Sequence, residues 1–227
     1  FIDRELCRVD PLYLKNLTEY NKVLNQRNKL LKDISTNEVL KSTLDVWDEQ
    51  FITSGKKIIR ERKKFLEDMT RIMQPIHNNI TGDAEDIILK YEPSIYEDEF
   101  EKEFFMARQR DLVLQQTTIG PHRDDFSILV NGINIRKFGS QGQQRSAALS
   151  LKLSEIKMIK KVSGDDPVLL LDDVFSELDS HRQECLLSEI KKTQTILTGT
   201  GLDDLVRGNI KIDKLFYIKS GTVSLGR

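Results

Sequence analysis

The sequence predicts an α/β protein whose first part is mainly helical, and three observations carry that reading. Apolar residues recur at helical spacing through most of residues 12–73. After Gln116, short strand-like runs alternate with helical stretches across brief polar loops. Val168 to Leu171 is a four-residue apolar run, the mark of a strand buried on both faces, and it ends in two consecutive aspartates. The texture changes after Gln116, and the chain is expected to divide into a helical domain, 1–112, and an α/β domain, 113–227.

In the first domain Leu12, Leu14, Leu17, Tyr20, Val23, Leu24, Leu30 and Leu31 set a helix, with Pro11 in the first turn where its missing donor costs nothing. Beyond Asp33 to Asn37 a longer stripe runs from Leu40 through Trp47, Phe51, Ile59 and Phe65 to Met73, and Pro75 is expected to end it. The pair suits an antiparallel helical hairpin. Ile87-Ile88-Leu89 suits a short strand, and Tyr96 to Gln115 a last helix. In the second domain Asp125 to Val130 and Ile133 to Phe138 read as strands joined by the two-residue turn Asn131-Gly132. Gly139 to Gln143 is a polar loop leading into a helix through Ala147, Leu151, Ile156 and Ile159. The strand Val168 to Leu171, a helix from Ser180 to Lys192, a strand Thr195 to Leu197 and a terminal strand pair (Leu215 to Ile218, Thr222 to Leu225) complete the chain.

Composition narrows the classes. The chain of 227 residues has 38% hydrophobic and 31% charged residues, enough for one large core or two small ones in a soluble protein. Lys plus Arg is 35 against 36 Asp plus Glu, so the net charge of -1 gives no bulk pull toward nucleic acid or membrane. No apolar run approaches the roughly 18 residues that span a bilayer. Cys7 and Cys185 lie far apart, which excludes a disulfide scaffold and points to a reducing, cytoplasmic setting. The scattered His77, His122 and His181 argue against structural zinc. With Phe1 first and no signal-like segment, the chain is expected to be cut from something longer.

The residues that carry chemistry begin at Asp172-Asp173. A parallel strand ending in two carboxylates presents both at the carboxyl edge of its sheet, where α/β proteins bind ligands. One carboxylate there suits an oxygen-seeking Mg²⁺, and the next suits an attacking water. Taken alone, an acid pair after an apolar run is more often a solvated strand end, at about two to one. Phe138-Gly-Ser140-Gln-Gly142-Gln143-Gln-Arg145 leads into a helix, and a hydroxyl with glycine-exposed amides at a helix N-terminus makes an anion site. By itself that string reads as an N-cap with a tight turn. The two together, in this order with one helix between them, are far more specific.

These strings, with Gly120-Pro-His-Arg-Asp-Asp125, Ala147-Ala-Leu-Ser-Leu-Lys-Leu153, Ser176-Glu-Leu-Asp179 and the opening Phe1-Ile-Asp and Tyr20 to Asn28, resemble the RecF family end to end. RecF proteins are bacterial recombinational-repair ATPases related to SMC and ABC heads. The resemblance implies a helical lid or arm over 1–112 and the C-terminal lobe of an ABC-like head over 113–227. It implies that Ser140, Gly142 and Gln143 are signature-loop contacts to ATP, Asp172 the Mg²⁺ ligand of the Walker B strand, Asp173 the catalytic acid and Asp179 the D-loop residue. It further implies DNA binding at gaps, an ATP-dependent homodimer, cooperation with RecO and RecR to load RecA, a place in the SOS response and a nucleoid-associated, cytoplasmic location.

Departures from the pattern matter equally. No Gly-x-x-x-x-Gly-Lys-Ser/Thr loop occurs; the Gly55-Lys56 pair is followed by Lys57 inside a helical pattern. In the family that loop precedes the matched region, so the chain is expected to carry half a nucleotide site and to be inactive alone. The second acid is Asp173 where ABC transporters use Glu. Thr195 to Thr200 contains no switch histidine, which leaves γ-phosphate sensing to Thr198 or Thr200.

Lys56-Lys57-Ile-Ile-Arg60-Glu-Arg-Lys63-Lys64 is the one dense basic run. On a helix Lys56, Arg60, Lys63 and Lys64 share one broad face, and these four with Lys57 are the candidates for DNA phosphates. A merely solvated face is the more common outcome for such a run. Arg123 is expected to pair with Asp124 or Asp125 or to pack the lobe junction, His122 to be structural, and Cys7 and Cys185 to be ordinary buried side chains. Two other readings stand beside the RecF one: the head of another SMC-like protein, and a non-enzymatic module whose helices dock a partner.

Overall fold

The computed structural model describes residues 1–82, 85–191, 193–199 and 212–226. The chain forms two compact units, Phe1–Asp165 and Asp166–Arg227, and the expected boundary at 112/113 lies inside the first.

The first unit opens with α1 (Ile2–Val9) and α2 (Pro11–Ile34). Pro11 takes the first turn of α2, and Asp10 caps it by accepting from the Leu12 amide at 2.8 Å. A 3₁₀ stretch, Glu38–Thr43, leads into α3 (Leu44–Thr81), 38 residues long. Here the expectation from Pro75 is corrected: the helix runs through it to a left-handed cap at Gly82. Pro75 sits on the exposed face, so the bond that its missing N–H denies the Arg71 carbonyl is lost where water can replace it. On the other face Met73, Ile76, His77 and Ile80 are buried, and their packing offsets the lost bond.

Strands β1 (Ile87–Glu92), β2 (Asp125–Val130) and β3 (Ile133–Asn134) form an antiparallel sheet in that order. Ile87 pairs with Val130 and Glu92 with Asp125. Helix α4 (Phe100–Leu114) lies between β1 and β2 in sequence. Asn131 (φ 49°) and Gly132 (φ 78°) both take positive φ, the requirement of the tight turn read from this pair. The returning strand is shorter than expected. Asn134 accepts from the Arg136 amide at 3.1 Å and starts a single helical turn, α5 (Ile135–Phe138), in place of a strand to Phe138. Helix α6 (Gln141–Ser163) closes the unit against α3.

The core centres on α3. Phe51 stacks on Phe104 with centroids 4.9 Å apart and meets Phe100 edge-on at 6.1 Å. A Cβ on Gly55 would lie 2.6 Å from the Phe100 ring, so this helical position admits only glycine without rearrangement. Arg27, fully buried, sits over Phe104 at 4.5 Å and pairs with Asp48 at 2.7 Å and Asp111 at 2.8 Å. Arg62 is likewise buried, bonded to Asp3 at 2.8 Å and to the Pro121 carbonyl at 2.6 Å.

The second unit holds β4 (Leu169–Asp172), a 3₁₀ turn Val174–Glu177, α7 (Ser180–Ile190), β5 (Thr195–Thr198) and the hairpin β6 (Phe216–Lys219) with β7 (Thr222–Leu225). β4 and β5 pair in parallel, Asp172 opposite Thr198. β4 is not buried on both faces: Leu169 and Leu171 are half-buried, but Leu170 is 69% exposed. Among the described residues β5 is its one strand neighbour.

Candidate functional site

The two motifs lie on different units. In the first unit Ser140 is the exposed N-cap of the 23-residue α6. Its hydroxyl accepts from the Gln143 amide at 3.2 Å, and the Gln143 side-chain oxygen accepts from the Ser140 amide at 3.1 Å. This reciprocal pair is a capping box, and it leaves the dipole end of a long helix at the surface. The Gly142 carbonyl, in the first turn, accepts from the Ser146 hydroxyl at 2.9 Å. Gly139 permits the entry: a Cβ there would come within 2.7 Å of the Ile135 carbonyl oxygen.

Gln143 also reaches outward. Its amide nitrogen donates to Glu85 at 2.9 Å, and the other Glu85 oxygen lies 3.1 Å from His77 Nε2. His77 Nδ1 is 2.9 Å from the Ser150 hydroxyl. Burial lowers the His77 pKa, against the pull of Glu85. Sequence reasoning missed both Glu85 and His77. They stand 58 and 73 positions from their partners Gln143 and Ser150, and no local pattern marks them.

In the second unit Asp172 ends β4, and the Thr198 hydroxyl on β5 donates to its carboxylate. Asp173 follows in the left-handed region (φ 50°, ψ 25°), with its amide donating to the Thr198 carbonyl at 3.2 Å. An aspartate tolerates that conformation better than most residues. The sharp turn gives the second carboxylate a different backbone setting from the first. Asp179 caps α7, accepting from the Arg182 amide at 2.9 Å and pairing with the Arg182 guanidinium. The hydrogen bond from the Arg182 amide lowers the Asp179 pKa most; burial opposes it, and the Arg182 guanidinium adds to the lowering. Gln183 ties the turn before it, donating to the Phe175 and Leu178 carbonyls at 2.9 Å. Thr200 lies outside the described residues.

Among the described residues no three His, Cys, Asp or Glu side chains converge as a metal cage. The donor set at Asp172 is one carboxylate beside a hydroxyl. That suits Mg²⁺, which binds through one or two carboxylates and completes its shell with water and phosphate oxygens.

The basic run divides. Lys56 pairs with Glu101 at 2.8 Å and Arg60 with Glu97, while Lys57, Lys63 and Lys64 are exposed without a carboxylate partner among the described residues. Arg123 is exposed and pairs with neither Asp124 nor Asp125, which corrects that part of the expectation. Arg62 approaches Asp124 at 3.5 Å, and Asp124 also accepts from Tyr91; Arg136 approaches Asp125 at 3.8 Å. His122 is structural: Nδ1 lies 2.7 Å from the Tyr20 hydroxyl and Nε2 3.0 Å from the Thr117 carbonyl. Cys7 and Cys185 form no disulfide and are half-buried rather than buried. No helix among the described residues is long and apolar enough to cross a membrane.

No protein-family model matches the chain. A solved structure of the recombination mediator protein RecF-ATP in the RecFOR pathway superposes on all of it with a TM-score of 0.85 at 33% identity, and the match covers 61% of that protein. A second, of RecF-ATPrS, gives 0.82 at 34% identity over 99% of the chain and 61% of its own. The fold is that of an ABC-type ATPase head. Among curated relatives, the DNA replication and repair protein RecF of Agathobacter rectalis is 54% identical over 225 residues, and that of Lachnoclostridium phytofermentans 50% over 226. The chain belongs to the RecF family and corresponds to a C-terminal part of it, spanning 62% and 63% of the length of those two relatives.

Proposed function

We propose that this chain supplies the signature, Walker B and D-loop half of the nucleotide site in a RecF-type DNA-repair ATPase. The observation that carries the reading is the Asp172-Asp173 pair at the carboxyl edge of a parallel strand, in a chain whose signature serine caps an exposed helix N-terminus. ATP joins two copies of the full-length protein. Ser140, Gly142 and Gln143 of one copy contact the γ-phosphate bound by the other, and Asp179 and Thr200 serve as further nucleotide contacts.

Asp172, steadied by Thr198, would hold Mg²⁺, which when bound would neutralise charge on the phosphate oxygens. Asp173 orients the attacking water and accepts a hydrogen bond from it as its oxygen approaches the γ-phosphorus. The exposed face of α3 contacts DNA phosphates through Lys57, Lys63 and Lys64, and through Lys56 and Arg60 once these exchange their carboxylate partners. The assembled protein binds DNA at gaps and single-strand/double-strand junctions. There it works with RecO and RecR to load RecA, in the cytoplasm at the nucleoid.

The test is Ser140→Arg in the full-length protein. It places bulk and a charge at the seam, so sedimentation should show ATP-driven dimers lost while each monomer still binds ATP. A dimer that survives in the mutant overturns the reading.

A further inference from the structure

We propose that Glu85 and His77 are positioning residues for the signature loop, holding Ser140 and Gln143 in place from α3 and the segment that follows it. The proposal rests on the reading of that loop as an ATP contact. Four side chains form one chain of hydrogen bonds, and its polarity can be assigned atom by atom. The Gln143 amide nitrogen faces the Glu85 carboxylate, which only accepts, so the Gln143 oxygen is the end that receives the Ser140 N–H. For the same reason His77 Nε2 carries the proton that faces Glu85. The ring is fully buried, which favours its neutral form, so Nδ1 accepts from the Ser150 hydroxyl. In giving its proton to Nδ1, Ser150 releases its 2.8 Å bond to the Ser146 carbonyl, which the helix backbone already satisfies.

An exposed capping glutamine with one partner turns freely about its terminal torsion. Gln143 has a second partner, and that partner is itself held. The Glu85 carbonyl accepts from Gln74 at 3.2 Å, and Gln74 in turn accepts from the Ile87 amide at 2.9 Å, which pins this stretch of backbone to α3. One Glu85 oxygen is spent on Gln143 and the other on His77. The first turn of α6 is thereby fixed in place by a different helix. A single carboxylate bridging two neutral donors also makes charge-assisted bonds, stronger than those of the capping box alone.

Glu85→Ala in the full-length protein removes both ends of the bridge. It should raise the ATP concentration for half-maximal dimerisation about tenfold, equivalent to about 1.4 kcal/mol, with monomer ATP affinity unchanged. Hydrogen exchange at the Ser140 and Gln143 amides should quicken by a similar factor, while the α3 amides near Phe51 stay protected. Glu85→Gln should restore both readouts. Its oxygen still accepts from Gln143, its NH₂ donates to His77 Nε2, and the ring moves its proton to Nδ1, where Ser150 accepts it and returns its own to Ser146.

Wild-type exchange at Ser140 and Gln143 in Glu85→Ala overturns the proposal. So does an unchanged ATP dependence of dimerisation in a protein whose Ser140→Arg control behaves as expected. If wild type forms no ATP-dependent dimer, the proposed function fails, and the exchange measurement still decides the positioning role. Should Glu85→Ala not fold, Glu85→Asp keeps the charge one methylene short of its partners; wild-type values there overturn the proposal equally.

Discussion

The Thr198 hydroxyl donates to the Asp172 carboxylate across the parallel register that sets the two residues side by side. A strand-edge acid is thus oriented by its neighbouring strand before any ligand arrives. Thr198→Val keeps shape and β-propensity but removes the donor. In the full-length protein it should weaken Mg²⁺-dependent ATP binding by about 10- to 100-fold, the usual effect of losing a group that orients a metal ligand. Titration of nucleotide affinity against Mg²⁺ checks it, and equal affinity in the mutant removes Thr198 from the site.

The two carboxylates should separate in mutants. Asp173→Asn keeps size and much of the hydrogen bonding, so it should bind ATP, trap the dimer and stop phosphate release. Asp172→Asn should instead weaken the Mg²⁺-dependent step of binding. Affinity and phosphate release measured together on both variants decide this; wild-type turnover in Asp173→Asn would contradict the assignment.

The basic face should divide in DNA binding. Changing Lys57, Lys63 and Lys64 to Ala in the full-length protein should lower the slope of log K against log salt by about 0.9 for each duplex phosphate that is no longer neutralised. Lys56 and Arg60 already hold Glu101 and Glu97, so replacing those two should flatten the slope less. Helix content should hold, since Ala is the best helix former.

Stability should fall in mild acid. Burial is the largest influence on both His77 and His122, and it lowers both pKa values below the ordinary 6.5. Between the folded values and about 6.5 the unfolded chain binds protons that the folded one does not. Their contribution is therefore complete above about pH 6.5 and declines as pH falls toward the folded values. Urea midpoints at descending pH should show the decline, and His77→Gln should reduce it. Around His77 the opposing charge is Glu85; around His122, Arg123 adds to the lowering while Asp124 and Asp111 oppose it.

Arg27→Met should be the most damaging change in the helical hairpin. It leaves Asp48 and Asp111 buried without their cation, and breaking such a cluster from one side costs about 3–5 kcal/mol. Urea unfolding measures it. A loss below about 1 kcal/mol would mean that water or Arg108 replaces the guanidinium, Arg108 lying 3.6 Å from Asp48.

Local signals were legible where a local cause acts. The periodicity of α2 and α3, the Asn131-Gly132 turn, the Ser140 cap and the acid pair at the end of β4 each depend on neighbours in sequence. Pro75 misled because a helix with one buried face survives a proline on its exposed face. Ile133 to Phe138 misled because the Asn134 cap overrode the alternation of a short strand. Buried Arg27, Arg62 and His77 were invisible for another reason. A charged residue in a helical pattern reads as surface until its partners, many positions away, are brought to it. Only the three-dimensional pairing separates Arg62 from the exposed lysines beside it.

The Arg27 cluster also sets a schedule for synthesis. Its first carboxylate, Asp48, follows 21 residues later, but Asp111 comes 84 residues after the arginine and Thr117 90. At about 5–20 residues per second, roughly 4–17 s separate the arginine from its second counter-charge on the ribosome. In the last part of that interval, after Thr81 and before Asp111, the hairpin of α2 and α3 has its apolar faces ready and its guanidinium only half compensated. Full compensation of the guanidinium waits for α4 and the segment after it, which supply Asp111 and Thr117.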